Sequence, residues 1–215
     1  ESPYLWKNRN RMNFIAFRNS FIELGCVNTQ QIRAIYPEFN SNNLTRWLKQ
    51  GLMLKLRQSY YSFAELLGRP DFALYISNRI YKPSYIGLHT VLAFYGMIPE
   101  AVTQITAVSS LKTAVFQNAF GVYSYKTVRE DLFFGYELKS YEHKSILFAY
   151  PEKALLDLLY LYPFYNSSQD MEELRLDESF MSSGLDLKRL DEYTSRFGSK
   201  ALTRRVEIMK KTYGL

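Results

Sequence analysis

The segment 42–49 combines apolar residues with residues able to read a DNA base or hold a phosphate. The polar set is Asn42, Asn43, Thr45, Arg46 and Lys49. At about 100° per residue, Leu44, Trp47 and Leu48 fall on one side of a helix and most of the polar set on the other. Arginine can bond guanine O6 and N7 in a fork, and asparagine can pair with adenine N6 and N7. The segment therefore predicts a helix that lies in the major groove of DNA, where it reads bases or positions the protein. Asn42 and Asn43 stand at its start, either near base edges or as helix caps.

Three further polar residues follow in a candidate hairpin: Lys55, Arg57 and Gln58. Leucines at 52, 54 and 56 alternate with Met53, Lys55 and Arg57, which predicts a strand with the leucines buried and the other three outside. Gln58 and Ser59 turn the chain, and residues 60–63 return as a second strand. We expect Lys55, Arg57 and Gln58 to contact the phosphate backbone or minor groove, where contacts position a protein without specifying sequence.

Three short helices are predicted to hold these residues in place. An apolar stripe at 14, 17, 21 and 24 indicates a first helix that Gly25 ends. Asn28 or Thr29 can cap a second helix that closes at Tyr36 and Pro37, and a third begins after Asn40 and Ser41 and ends at Gly51. Three helices followed by a two-stranded wing predict a winged helix-turn-helix DNA-binding domain over residues 1–68.

Charge and composition support an anionic partner for this front segment. The chain has 215 residues and a net charge of +6, and residues 1–68 hold nine basic and four acidic residues. Such asymmetry is typical of nucleic-acid binding, although chance surface charge or a helical domain used for protein contact would also fit. One cysteine and two histidines predict neither a disulfide framework nor a metal site, and no cofactor is expected. No apolar run approaches the roughly 20 residues of a membrane span, so we expect a cytoplasmic protein without a membrane partner.

The remaining residues, 69–215, form a second predicted domain after a seam at Leu67–Pro70. Helices are expected over 72–80, 84–95, 152–162, 169–176, 185–196 and 199–212. Strands are expected over 105–109, 115–116, 122–128 and 145–149, with a turn at 118–121. Helices and strands mixed without regular alternation favour the α+β class. The fold prediction is thus an N-terminal winged helix-turn-helix followed by a larger mixed α/β domain.

Residues for catalysis are sparse. Asp71 with Glu137 and Lys139 imitates the carboxylate pair and lysine of metal-dependent nucleases, a short pattern that arises easily by chance. His89 lies in an apolar stretch and fits a packed core or interface histidine. No phosphate-binding glycine loop occurs, and Tyr123 and Tyr125 fit the core better than an interface. No catalytic residue is therefore predicted, and the nuclease remains a lesser alternative.

Several segments of the second domain resemble one family. Residues 83–100 read PSYIGLHTVLAFYGMIPE, residues 120–125 read FGVYSY, residues 133–137 read FFGYE, and residues 149–157 read AYPEKALLD. In this order they resemble AbiEi-type antitoxins, the regulator half of the AbiE phage-defence toxin–antitoxin systems. The resemblance extends over about residues 13–200, and the PEKALLD segment is its most specific piece.

The resemblance implies a DNA-binding autorepressor that is not an enzyme. Its front domain would bind inverted repeats in double-stranded DNA of its own promoter, and its body would neutralise a nucleotidyltransferase-like toxin. The interaction-only alternative is an antitoxin without sequence-specific DNA binding. Glu152, Lys153 and Asp157 match the family segment, and fold stabilisation explains them at least as well as function does.

Overall fold

The computed structural model describes residues 12–215 and divides the chain into two compact units. The first unit runs to Phe72 and also includes residues 117–121, and the second comprises residues 73–116 and 122–215. Residues 1–11 of the predicted front domain, which include the basic residues Lys7, Arg9 and Arg11, lie outside the described residues.

From residue 12 onward, the first unit contains three α-helices and a three-stranded sheet. The elements are α1 (Phe14–Phe21), β1 (Cys26–Asn28), α2 (Thr29–Ile35), α3 (Asn42–Lys49), β2 (Met53–Arg57) and β3 (Tyr60–Phe63), with 3₁₀ turns at Ile22–Leu24 and Ala64–Leu66. All three predicted helices and both hairpin strands are present. The short strand β1 was not predicted, and it pairs with β3 so that the sheet order is β1-β3-β2.

Local capping sets where these helices begin, and aromatic packing holds them together. The Ile15 amide donates to Asn13 Oδ1, and Asn28 and Gln31 cap α2 reciprocally. A capping side chain satisfies a main-chain donor that a helix start would leave without a partner. The apolar faces then meet in an aromatic core, where the rings of Phe17 and Trp47 lie 4.6 Å apart.

The hairpin departs from the predicted alternation of buried leucines. Met53 is 1% exposed and pairs with the buried Phe63, whereas Leu52 precedes the strand and is 37% exposed. The register with β3 shifts between Lys55 and Arg57, which marks a bulge. A bulge inserts an unpaired residue and breaks the two-residue period, so the burial pattern of β2 could not follow simple alternation.

The second unit is built around a mixed sheet of the order β6-β7-β5-β4-β9-β8. Its strands are β4 (Ser84–Ile86), β5 (Ile105–Ser109), β6 (Ala114–Asn118), β7 (Gly121–Thr127), β8 (Tyr136–Tyr141) and β9 (Lys144–Ala149). Strands β4 and β5 run antiparallel, as do β8 and β9, while β4 is parallel to β9 and β5 to β7. Helices and a mixed sheet without regular alternation confirm the α+β class.

Six helices accompany this sheet: α4 (Phe72–Ile80), α5 (Leu88–Phe94), α6 (Pro151–Leu161), α7 (Ser168–Glu173), α8 (Leu187–Phe197) and α9 (Lys200–Tyr213). Helix α6 is the most buried, since every residue from Pro151 to Leu159 is inaccessible, including three charged ones. Proline at its first position fits because that residue needs no main-chain donor. In residues 12–215, no helix is long and apolar enough to cross a membrane.

One prediction in this unit was wrong, and one strand was not predicted. Residues 84–95 are not one helix, because Ser84–Ile86 form the buried strand β4 and only Leu88–Phe94 are helical. Pairing of β4 with both β5 and β9 outweighs the local helical pattern there. Strand β8 was missed because its side chains are mostly half-buried or exposed and its one leucine, Leu138, faces solvent.

Candidate nucleic-acid interface and buried polar cluster

Helix α3 presents one polar face to solvent. Asn42, Thr45 and Lys49 are exposed at positions i, i+3 and i+7, which share a face of a helix. On the opposite face, Leu44 and Trp47 are almost completely buried. The core therefore orients this helix so that a hydroxyl, an amide and an ammonium group point outward together.

The position of Asn43 corrects the prediction that Asn42 and Asn43 both lie near base edges. It is 3% exposed and lies on the core side of α3, one position after the exposed Asn42. A rotation of about 100° per residue separates two consecutive side chains on a helix, so Asn43 faces the core while Asn42 faces solvent. Asn43 is a structural residue, and Asn42 is the one of the pair that is accessible.

Arg46 is held against the unit. Its side chain is half-buried, donates to the Met12 carbonyl at 3.0 Å, and lies 5.6 Å from the Trp47 ring centroid. A guanidinium with these contacts would have to leave them to reach a base edge. The structure thus gives Arg46 a role in positioning the start of α1 against α3, in addition to any contact with DNA.

The hairpin exposes part of the predicted wing surface. Lys55 and Gln58 are exposed, Arg57 is half-buried, and Ser59 occupies the left-handed region at φ 65° in the turn. Arg33 on α2 is also exposed and was not among the predicted contacts. The helix before a recognition helix crosses the DNA backbone in helix-turn-helix proteins, and this is the signal that could have identified Arg33.

One basic residue of the first unit is neutralised within it. Arg18 on α1 donates to both carboxylate oxygens of Glu65, at 2.6 and 2.9 Å. This hydrogen bond raises the pKa of Arg18 above its ordinary value. Arg18 therefore contributes little net charge to the surface of the first unit.

The second unit contains a polar cluster with no solvent access, formed by Tyr85, Lys153 and Asp157. The Lys153 ammonium donates to Asp157 Oδ1 and, at 2.7 Å, to the Tyr85 hydroxyl, which in turn donates to Asp157 Oδ2 at 2.7 Å. The rings of Phe134 and Phe197 lie 4.9 Å from the same ammonium. The three side chains satisfy one another in an apolar enclosure.

Burial dominates the electrostatics of this cluster. It lowers the pKa of Lys153 and raises the pKa of Asp157, while the attraction between the two charges opposes both changes. Burial also raises the pKa of the Tyr85 hydroxyl. With no solvent access, these groups present no surface to a substrate, and their hydrogen bonds join α6 to β4.

Glu152, the third charged residue of α6, is also committed to the fold. It is 1% exposed, accepts from the Asp186 amide at 2.8 Å, and pairs with Arg189 at 3.3 Å. These contacts tie the start of α6 to the start of α8. The charged residues of the segment 151–157 thus hold helices in place.

His89 lines an open cleft of about 340 Å³ in the second unit. The apolar floor includes Leu92 and Leu174, and the rim carries Glu100, Glu173 and Tyr165. Burial lowers the pKa of His89, and Glu100 opposes this change in part. The prediction of a packed histidine fits its half-buried ring, which meets Tyr162 edge-on at 6.0 Å.

The residues of the nuclease alternative belong to two different units of the chain. Glu137 and Lys139 lie on β8 and pair with each other at 3.5 Å, and Asp71 is exposed. Among residues 12–215, no three His, Cys, Asp or Glu side chains are grouped so that they could hold a metal ion. Tyr123 and Tyr125, which were predicted to be core residues, are completely buried.

Comparison with known proteins identifies no relative of this chain: no protein-family model matches it, and no curated protein does either. What the structure defines is an α+β protein with a helical unit bearing one exposed polar helix face and a larger unit bearing a buried polar cluster.

Proposed function

We propose that this protein is a DNA-binding transcriptional autorepressor whose first unit is a winged helix-turn-helix. The observation that carries the proposal is the exposed face of α3, where Asn42, Thr45 and Lys49 point outward from a buried opposite face. These residue types suit the major groove, since asparagine and threonine bond base edges and lysine bonds guanine or phosphate.

The order of elements in the first unit supports this assignment. A helix, an edge strand, two helices and a hairpin follow in turn, and the edge strand β1 closes the sheet beside β3. On this proposal, α3 is the recognition helix that follows α2, and the β2–β3 hairpin is the wing. Arg33, Lys49 and Lys55 are exposed cations on three of these elements and provide for phosphate contacts.

A competition gel shift tests the proposal. The protein is titrated against the DNA upstream of its own coding sequence, with an unrelated fragment of equal length as competitor. We expect selective binding by the wild type and loss of selectivity in Asn42→Ala and Thr45→Ala, because base contacts carry specificity. Lys188→Ala, an exposed cation of α8, is the matched control and should bind as the wild type does.

Arg46→Ala is a poorer probe than these variants, because it also removes the hydrogen bond to Met12. Equal affinity for both fragments in the wild type at low and moderate salt would overturn the autorepressor. Selectivity that persists in both α3 variants would show that another part of the protein contacts the DNA bases.

The proposal includes an antitoxin role for the second unit, which rests on the resemblance of segments between residues 83 and 157. A nucleotidyltransferase-like toxin encoded beside this gene is the expected partner, and both proteins would act in the cytoplasm. Co-expression tests it: the full chain should restore growth of cells that express the toxin, and Asn42→Ala should do so equally well. Growth rescue without selective DNA binding would instead favour the interaction-only antitoxin. Growth that is not restored would remove the antitoxin role and leave the regulator.

A further inference from the structure

The edge strand β8 is open to pairing along its outer side. It is the last strand of the six-stranded sheet and bonds β9 through an unbroken register from Tyr136 to Tyr141. Apart from the ladder with β9, no main-chain hydrogen bond from the described residues reaches the segment 136–140 of this strand. An edge strand with unpaired main-chain groups is a template for another strand.

Two devices by which proteins often block such an edge, a proline and a bulge, are absent from β8. The strand YELKSY contains no proline, and its register shows no bulge. Its one lysine, Lys139, bends back over the sheet, where its ammonium lies 4.9 Å from the Phe94 ring and 5.3 Å from the Phe148 ring. The same ammonium lies 3.5 Å from the Glu137 carboxylate of its own strand, so the two charges of β8 compensate each other and do not repel a second copy.

Leu138, at the centre of β8, is the most exposed large apolar side chain among the described residues, at 68%. Its cross-strand neighbour on β9 is the half-buried Leu147. Isolated exposed leucines are common on protein surfaces, so Leu138 alone indicates nothing. Its position on an open edge strand, beside a second leucine, gives an apolar strip that another strand could extend.

The sequence of β8 is complementary to itself when the strand is inverted. If two copies pair antiparallel with the two Leu138 residues opposite each other, Glu137 of each copy faces Lys139 of the other. Opposite charges directly across two strands stabilise the pair, whereas like charges would destabilise it. The other edge strand, β6, carries no charged side chain and offers no such register.

We propose that two copies of this chain associate through β8, which pairs antiparallel about a two-fold axis at Leu138. The dimer is isologous, so each copy supplies the same strand and the same charges. A six-residue strand pair gives a small interface, which places the association at the weak, concentration-dependent end of protein–protein contacts. The proposal does not depend on DNA binding.

A disulfide trap tests the register. Cα atoms directly opposite in an antiparallel pair are about 4.5 to 5.5 Å apart, within the range that a disulfide spans. Leu138→Cys should therefore form a covalent dimer under mild oxidation. Ser140→Cys is the matched control, because it is exposed on the same strand and face. In the proposed register its two copies lie about 13 Å apart along the strands, too far for a disulfide.

The wild type gives the baseline, since its only cysteine, Cys26, is buried. We expect at least a fivefold higher yield of disulfide dimer from Leu138→Cys than from Ser140→Cys. Equal yields, or no dimer from either variant, would overturn the two-fold pairing. Both positions face solvent, so failure to fold is not the expected cause of a negative result.

Sedimentation of the protein without introduced cysteines provides an independent measurement. The wild type should show a mass that rises with concentration, and Glu137→Lys should lower the dimer fraction several-fold by placing like charges opposite each other. Glu192→Lys, which makes the same charge change on the exposed surface of α8, should leave the dimer fraction unchanged. A wild type that stays monomeric over the whole range, or equal effects of both variants, would contradict the proposal.

Discussion

Two sets of polar residues in this protein differ in exposure: one set faces solvent on α3, and the other is buried on α6. On α3 of the first unit, Asn42, Thr45 and Lys49 face solvent, and Lys49 forms no ion pair with a carboxylate among residues 12–215. On α6 of the second unit, Lys153 and Asp157 have no solvent access and bond each other and Tyr85. A buried charge that loses its partner has a large free-energy cost, whereas an exposed one has little. Substitutions in the second set should therefore change stability, and substitutions in the first should change binding.

The largest expected effect is on the buried cluster. Lys153→Met leaves the Asp157 carboxylate buried without its cation and should lower the free energy of unfolding by about 3 to 5 kcal/mol. Urea denaturation followed by circular dichroism measures this. The double variant Lys153→Met/Asp157→Leu is the control, and it should recover much of the loss because apolar residues of similar volume often replace a buried ion pair at little cost. A single variant as stable as the wild type would show that the cluster is not structural.

The neighbouring asparagines of α3 sharpen the comparison within a single helix. Asn43→Asp places a charge on the core side and should lower the free energy of unfolding by about 1 to 3 kcal/mol. Asn42→Asp makes the same isosteric change on the exposed side, so its stability should stay within about 0.5 kcal/mol of the wild type. It should nevertheless weaken DNA binding, because the carboxylate repels phosphate. Equal losses of stability in a thermal denaturation series would contradict the assignment of the two faces.

The exposed cations should show the opposite behaviour to Lys153. Lys49→Ala and Lys55→Ala should each weaken DNA binding several-fold and lower the slope of log affinity against log salt by about 1 if each contacts a phosphate. Their stability should stay within about 0.5 kcal/mol of the wild type. Fluorescence anisotropy at four salt concentrations measures the slope, with Lys188→Ala as the control. An unchanged slope in both variants would remove these lysines from the interface.

The sequence predictions were accurate where local contacts determine the structure and wrong where contacts between distant residues do. Helices α1 to α3 were predictable because caps such as Asn28, aromatic spacing and Gly25 act within a few residues. Strand β4 was misread as helix because its burial depends on β5 and β9, which are distant in sequence. The polar residues of α3 could be named from residue types, but Asn43 and Arg46 were placed by contacts with the core and with Met12. Tyr85, the third member of the buried cluster, lies 68 residues from Lys153 and left no local signal.

The smallest expected effect concerns His89, whose half-buried ring lies between the two extremes of exposure. Burial lowers its pKa below the ordinary value of 6.5, so the unfolded chain takes up a proton at a higher pH than the folded protein does. The stability that neutral His89 contributes is complete above about pH 6.5 and is lost as the pH falls through the folded pKa. His89→Gln should flatten the fall in melting temperature between about pH 7.5 and about pH 5.5. His143→Gln, at an exposed position, should retain the wild-type fall. If the melting temperature of both variants falls with pH as that of the wild type does, protonation of His89 is not linked to folding. The ring would then resemble the exposed polar residues of α3 and not the buried cluster of α6.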